Sequence, residues 1–120
     1  MAENRFSETV LLVEDEAAIR RLMTIALEGA GYRVIEARSG TEALKLFGPQ
    51  IDLLLTDIRL PYLKGDQLIA RLRQRRQSLK VLAFSGFSMS APPGVPFLQK
   101  PFARDDLLSA VRGVLDGDAS

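Results

Sequence analysis

Four short apolar runs, each halted by polar or charged residues, constrain this chain more than any other feature. Val10-Leu11-Leu12-Val13 stops at Glu14-Asp15-Glu16. Ile51-Asp52-Leu53-Leu54-Leu55-Thr56 stops at Asp57, with Ile58-Arg59-Leu60-Pro61 behind it. Val81-Leu82-Ala83-Phe84 stops at Ser85-Gly86, and Val95-Pro96-Phe97-Leu98 runs on to Lys100-Pro101. Apolar runs of this length, followed by turn residues, read as strands buried on both faces. Open parallel sheets bind ligands at the carboxyl ends of their strands. The run ends therefore bring two or three carboxylates, a hydroxyl and an ammonium to one sheet edge. Such a set suits a divalent cation and a phosphoryl group.

Helical patterns alternate with these runs, which predicts an α/β fold with a parallel sheet covered on both faces. Residues 16–30 read as a helix in which Ala18, Leu22, Ile25, Ala26 and Gly29 recur at helical spacing, with Gly29, Gly31 and Tyr32 marking its stop. Arg33-Val34-Ile35-Glu36-Ala37 reads as a further strand. Ser39-Gly40-Thr41 opens a helix carrying Ala43, Leu44 and Phe47, ended by Gly48-Pro49. A third helix starts near Gly65-Asp66 and puts Leu68, Ile69 and Leu72 on one face. The last begins about Arg104, with Leu107, Leu108, Val111, Val114 and Leu115 as its buried stripe. The domain is expected over residues 9–116, with residues 1–8 as an N-terminal extension and 117–120 as a tail.

Composition narrows the chemistry. The 120 residues include no histidine and no cysteine, so any metal must be a hard, oxygen-seeking one, and no disulfide framework can form. Sixteen basic against fifteen acidic residues argue against a dedicated nucleic-acid binder. No run approaches the roughly 18 apolar residues of a membrane span, and no signal peptide is visible. A cytoplasmic protein with no membrane partner is expected. Two carboxylates about 4 Å apart repel by about 4 kcal/mol at an effective dielectric of ~20. Mg²⁺ relieves that repulsion, because it prefers one or two carboxylates with waters and phosphate oxygens. Lys100 offers a point charge and Ser85 a hydroxyl. Backbone N–H groups after Asp57 and Ser85, at Ile58 and Gly86, would complete a cradle for phosphoryl oxygens.

Taken in order, Leu12-Val13-Glu14-Asp15-Glu16, Thr56-Asp57-Ile58-Arg59-Leu60-Pro61 with Gly65, Ser85-Gly86, and Lys100-Pro101-Phe102 resemble the receiver domains of two-component response regulators. The resemblance runs from about Thr9 to Leu115. It implies a doubly wound five-stranded sheet of flavodoxin-like order 2-1-3-4-5. It also implies that Asp57 is the phosphoacceptor, and that Asp15, Asp57 and the backbone carbonyl of Arg59 ligate Mg²⁺, with Glu14 helping through water. Ser85 and Lys100 would bind the phosphoryl group, and Ser85 and Phe97 would act as switch residues. The implied donor is a phosphohistidine on a sensor histidine kinase or a histidine phosphotransfer protein. The chain would gain and lose a phosphoryl group without being a turnover enzyme on an external substrate. The alternative is a phosphorylation-independent interaction module on the same fold.

Blander readings stand beside these. Asp15 could cap the first helix, Asp57 could be a turn residue, Ser85 a loop hydroxyl, Lys100 a solvated lysine and Phe97 plain core. Arg71, Arg73, Arg75, Arg76 and Lys80 read as a solvated helix face. The P-loop and dinucleotide glycine patterns are absent after the first strand, where acids stand instead. A phosphatase with Asp15 as nucleophile would need an Asp-x-Asp spacing, and position 13 is Val13. The chain departs from the receiver pattern in one major respect. Between Ser85 and Phe97, Pro92 and Pro93 forbid normal helix bonding, so the fourth helix is expected to be shortened or absent. Two milder departures are Glu14 for the commoner aspartate and Leu60 for the frequent methionine.

Overall fold

The apolar runs become the strands of one parallel sheet. The computed structural model describes residues 7–86 and 89–117. In chain order the elements are β1 (Thr9–Val13), α1 (Ala17–Gly29), β2 (Arg33–Ala37), α2 (Gly40–Leu46), β3 (Leu53–Asp57), α3 (Gly65–Arg75), β4 (Lys80–Ser85), β5 (Phe97–Gln99) and α4 (Arg104–Leu115). The strand order is β2-β1-β3-β4-β5, all parallel. This is the five-stranded doubly wound sheet that the sequence predicts.

Strand side chains alternate between two apolar layers, as the pleat requires. Leu11, Val13, Leu54, Val81 and Ala83 face a core closed by Ala43 of α2 and by Leu68, Ile69 and Leu72 of α3. Val10, Leu12, Leu53, Leu55, Leu82 and Phe84 face Met23, Ala26 and Leu27 of α1 and Leu107 and Val111 of α4. Each fully buried leucine contributes about 1.5–3 kcal/mol relative to an exposed one.

Local signals start the helices. The Ser39 side chain accepts the Glu42 N–H at 3.0 Å, and Glu42 Oε1 accepts the Arg38 N–H. The Gln67 and Asp106 side chains accept the N–H groups of Lys64 and Ala103 at the starts of α3 and α4. After α1 the chain turns through Gly31, whose φ of 105° lies in the region that glycine tolerates best.

Several sequence expectations need correction. In α1 only Ala26 of the residues read at helical spacing is buried: Leu22 and Ile25 are 68% and 55% exposed, and Ala18 and Gly29 are exposed too. The buried stripe is Met23, Ala26 and Leu27, flanked by Ile19 and Ala30. Two apolar stripes run side by side on this helix, and periodicity alone does not choose between them. The last strand begins at Phe97, not Val95. Pro96 has no N–H to donate, although its carbonyl accepts from Ala83 N–H at 2.9 Å.

The basic set is not a simple solvated face. Arg71 is exposed, but Arg75 donates to Leu44 O, and Arg76 donates to Ile51 O and Gly48 O while its guanidinium lies over the Phe47 ring. Lys80 Nζ donates to Leu115 O at the end of α4, and Arg73 reaches Leu79 O. These long side chains find carbonyls in loops and in the last turns of α2 and α4, contacts that sequence patterning does not reveal.

Among the described residues no helix lies between β4 and β5. Val95 N–H closes a turn on Pro92 O at 3.1 Å. Phe87 and Ser88, which the helix expectation also covered, lie outside the described residues, as do residues 1–6 and 118–120 of the expected extension and tail. Glu8, assigned to that extension, is tied to the fold through Arg112 of α4 at 2.8 Å and through its carbonyl to Arg33 N–H.

Candidate functional site

The carboxyl ends of β1, β3 and β4 and the residue after β5 meet at one edge of the sheet. They line an open pocket of about 530 Å³ whose walls include Asp15, Asp57, Arg59, Ser85, Gly86 and Lys100. The register explains the convergence: β1 and β3 pair Val13 with Thr56, β3 and β4 pair Asp57 with Phe84, and β4 and β5 pair Ser85 with Gln99. Each polar residue stands one or two positions past, or at the end of, a buried run.

Asp57 is the centre. It is 4% exposed, and both carboxylate oxygens are engaged. Oδ1 accepts from Ser85 Oγ at 3.0 Å and from the Arg59 N–H at 2.8 Å, and Oδ2 accepts from Lys100 Nζ at 3.2 Å. Thr56 Oγ1 donates to the Asp57 carbonyl, so the backbone that carries the carboxylate is also held. Asp57 is therefore no ordinary turn residue, and Ser85, 1% exposed, is no plain loop hydroxyl.

Glu14 is fully buried. Its Oε1 accepts from Lys100 Nζ at 3.0 Å and its Oε2 from the Glu16 N–H at 3.0 Å. Burial pushes the Glu14 carboxyl above the usual carboxylate range, and the hydrogen bonds from Glu16 and Lys100 only partly oppose this. For Lys100, burial works against the charged form. The hydrogen bonds that Lys100 donates to Glu14 and Asp57, with the negative charges of both, together outweigh it, and its pKa is raised. Lys100 thus stays a cation, and it is no solvated surface lysine. Its ammonium also lies 5.3 Å from the centre of the Phe84 ring, which meets Phe102 edge to face.

Asp15 is exposed and does not cap α1: the N-cap is Glu16, and no side-chain hydrogen bond closes that end. Carboxylate oxygens of Glu14, Asp15 and Asp57 lie within 4.8 Å of one another. An all-oxygen set in a chain without histidine or cysteine fits a hard cation such as Mg²⁺. Asp15 and Asp57 line the open pocket, whereas Glu14 is fully buried behind it, which leaves Asp15 and Asp57 the better placed direct ligands.

The amide expected to face a phosphoryl group at Ile58 does not do so. Its N–H donates to Phe84 O at 3.0 Å as part of the sheet, and the N–H turned toward the carboxylate is that of Arg59. A residue that ends a strand still gives its successor's amide to the ladder. Gly86 is on the pocket wall. Phe97 is partly buried against the core layer that contains Val95 and Ala83.

Two residues that shape the site carry no motif signal. Arg20 of α1 donates to the Glu14 carbonyl, and Glu36 of β2 accepts from Arg20. Glu36 enters the sequence pattern only as part of a strand, and nothing in the pattern singles out Arg20.

A family model described as the response regulator receiver domain matches residues 10–112. The chain is 36% identical over 120 residues to the sensor kinase CckA of Brucella abortus (strain 2308), an alignment covering 92% of this chain and 13% of that protein. It is 34% identical over 114 residues to the response regulator receiver protein CpdR of the same organism, covering 88% of this chain and 95% of that one. Among solved structures, a response regulator receiver protein from Sinorhizobium medicae WSM419 superposes with a TM-score of 0.85 at 28% identity, covering 93% of this chain and 97% of that one.

Proposed function

The chain belongs to the response regulator receiver domain family, and we propose that it takes a phosphoryl group onto Asp57 and switches conformation on doing so. The donor is a phosphohistidine on a sensor histidine kinase or a histidine phosphotransfer protein. The likeness to the sensor kinase CckA supports this choice, although the chain spans only 13% of that protein's length. The chain itself contains no histidine, so the donor imidazole belongs to another segment or another protein.

The observation that carries the reading is the wiring of Asp57. A carboxylate at the floor of an open pocket is held by a hydroxyl, a backbone N–H and an ammonium. Those are the three kinds of donor that a transferring phosphoryl group needs. In the reaction an Asp57 carboxylate oxygen forms the new bond to phosphorus, and the bond from phosphorus to the donor's imidazole nitrogen breaks. The electron pair leaves with that nitrogen. Lys100 and Ser85 then turn from the carboxylate to the phosphoryl oxygens. Later a water oxygen attacks phosphorus, the acyl phosphate bond breaks, and inorganic phosphate leaves the free carboxylate behind.

Asp15, Asp57 and the Arg59 carbonyl would hold Mg²⁺ directly, with Glu14 acting through water. When bound, Mg²⁺ would neutralise charge shared by the carboxylates and the phosphoryl oxygens. The phosphoryl group ends on the chain itself, so the protein is a phosphoacceptor rather than a turnover enzyme, and we place the exchange in the cytoplasm. The test is incubation with acetyl phosphate, with and without Mg²⁺, followed by intact mass measurement. A single Mg²⁺-dependent phosphoryl adduct, lost in Asp57→Asn, is expected. An equal adduct on the Asp57→Asn protein would overturn the assignment.

A further inference from the structure

Arg20 reaches from α1 to the backbone of Glu14, one residue before the pocket-lining Asp15. Its side chain is only 12% exposed. Nη1 donates to the Glu14 carbonyl at 2.8 Å, and Nε donates to Glu36 Oε1 on β2 at 3.1 Å. The other side of Glu14 is held as well, because its N–H donates to Ala37 O at 3.1 Å. Residue 14 is thus tied to β2 twice, directly through its N–H and indirectly through Arg20 and Glu36. The carbonyl that Arg20 grips belongs to the peptide leading into Asp15.

We infer that Arg20, anchored by Glu36, is a positioning residue that fixes the Glu14–Asp15 peptide and so sets where the two carboxylates stand relative to Asp57. The inference rests on the Mg²⁺ reading above. Asp15 has no hydrogen-bonded cap to orient it, and it follows directly on the gripped peptide. Mg²⁺ demands near-ideal octahedral geometry at about 2.0–2.1 Å, so a small displacement of a ligand's backbone weakens binding. A guanidinium holds Nη1 and Nε at a fixed spacing that spans the Glu14 carbonyl and the Glu36 carboxylate, whereas an ammonium is a single nitrogen on a flexible stem and lacks that rigid span.

The charge of Arg20 pulls the other way. A positive group beside a cation site opposes the cation on Coulomb grounds. Removing it should tighten Mg²⁺ binding if charge is all that matters, and weaken binding if positioning dominates. The two roles therefore differ in sign.

The experiment is a Mg²⁺ titration by calorimetry and amide NMR, with no phosphodonor, on the wild-type chain, Arg20→Met and Arg20→Lys. Positioning predicts that Arg20→Met binds Mg²⁺ at least about fivefold more weakly, near 1 kcal/mol. It also predicts that Arg20→Lys is weakened by about two- to threefold despite keeping its charge. Equal or tighter binding by Arg20→Met, or wild-type affinity in Arg20→Lys, would overturn the inference while leaving the proposed function intact. If Arg20→Met does not fold, the Arg20→Lys result decides. A wild-type chain that binds no Mg²⁺ would instead overturn the metal reading, and this inference with it.

Discussion

Gly65 stands against the backbone of Asp57: a Cβ placed on it would lie 2.2 Å from the Asp57 carbonyl oxygen and 2.6 Å from Ile58 Cα. Its N–H also donates to Ile58 O at 3.0 Å. The start of α3 is therefore pressed onto the strand end that presents the carboxylate, and only a residue without a side chain permits the approach. Gly65→Ala should lower stability by about 2 kcal/mol or more, since both atoms in the way are backbone. Gly29, at the end of α1, meets nothing within 4 Å, and Gly29→Ala should raise stability by roughly 0.5–1 kcal/mol. Urea unfolding of the two variants gives the comparison. A Gly65→Ala midpoint equal to wild type would mean that the β3–α3 connection yields freely.

Removing Asp15 separates metal binding from folding. Asp15 is exposed and makes no cap, yet it stands within the carboxylate trio. Asp15→Ala should weaken Mg²⁺ binding by at least tenfold, about 1.4 kcal/mol. The metal-free protein should be no less stable than wild type, because a like charge has been taken from the cluster. Melting curves with and without Mg²⁺ read both effects at once: Mg²⁺ should raise the midpoint of the wild type and leave that of Asp15→Ala nearly unmoved. An equal Mg²⁺-induced rise in both would remove Asp15 from the ligand set.

Much of the fold and site was legible because each apolar run carries its chemistry at its end. Asp57, Ser85 and Lys100 are adjacent to, or part of, strands whose burial is written in Leu53–Leu55, Val81–Phe84 and Phe97–Leu98. What stayed hidden depends on reach rather than pattern. Arg76 and Arg75 look like surface charges until α3 is packed and their guanidiniums meet the carbonyls of Ile51, Gly48 and Leu44. Arg20 and Glu36 look solvated until β2 brings residue 36 beside α1. The α1 stripe failed for a related reason. Leu22 and Ile25 are as apolar as Met23 and Leu27, and only the docking of α1 against the sheet and α4 decides which pair is covered. The Ile58 amide is not free for a ligand because the ladder runs one residue past Asp57, a continuation that the end of an apolar run does not reveal.

The opposite edge of the sheet supplies a pH-dependent contribution. Arg112 Nη2 and Nη1 lie 2.8 and 3.2 Å from the Glu8 carboxylate oxygens. The Arg112 hydrogen bonds hold the Glu8 carboxyl below its ordinary value of 4.5, against a smaller opposing effect of burial. A depressed acid stabilises the fold above its unfolded pKa, and that contribution is lost as pH falls through the folded value. Glu8→Gln should therefore be less stable than wild type at pH 7 by about 0.5–1 kcal/mol, given the partial exposure of the pair. The gap should begin to narrow as pH falls below about 4.5 and close once pH has fallen through the lower folded value, where wild-type Glu8 also becomes neutral. Urea unfolding across that range is the measurement, and a gap that persists unchanged at pH 3 would assign the effect to packing instead.

Ser85 links the pocket to the edge of the sheet. Its hydroxyl is bound to Asp57 Oδ1 at 3.0 Å, while its carbonyl accepts the Lys100 N–H at 2.7 Å. On the proposed phosphorylation of Asp57, the phosphoryl group would take over that hydroxyl, so the bond to Oδ1 would break and Ser85 would shift. That shift would pass to Lys100 through the backbone hydrogen bond and to β5 through the pairing of Ser85 with Gln99. Phe97, partly buried two residues before Gln99, is the side chain placed to respond. No helix between β4 and β5 among the described residues stands in the way of such a response. Amide NMR of the protein with and without beryllofluoride and Mg²⁺ should show its largest changes at residues 84–86 and 97–100, with small ones along α1 and β2. Ser85→Ala should reduce the changes at 97–100 while leaving those at Asp57 in place, because the pocket still fills but its lever is gone. Changes at β5 as large in Ser85→Ala as in wild type would show that the signal travels through Lys100 alone.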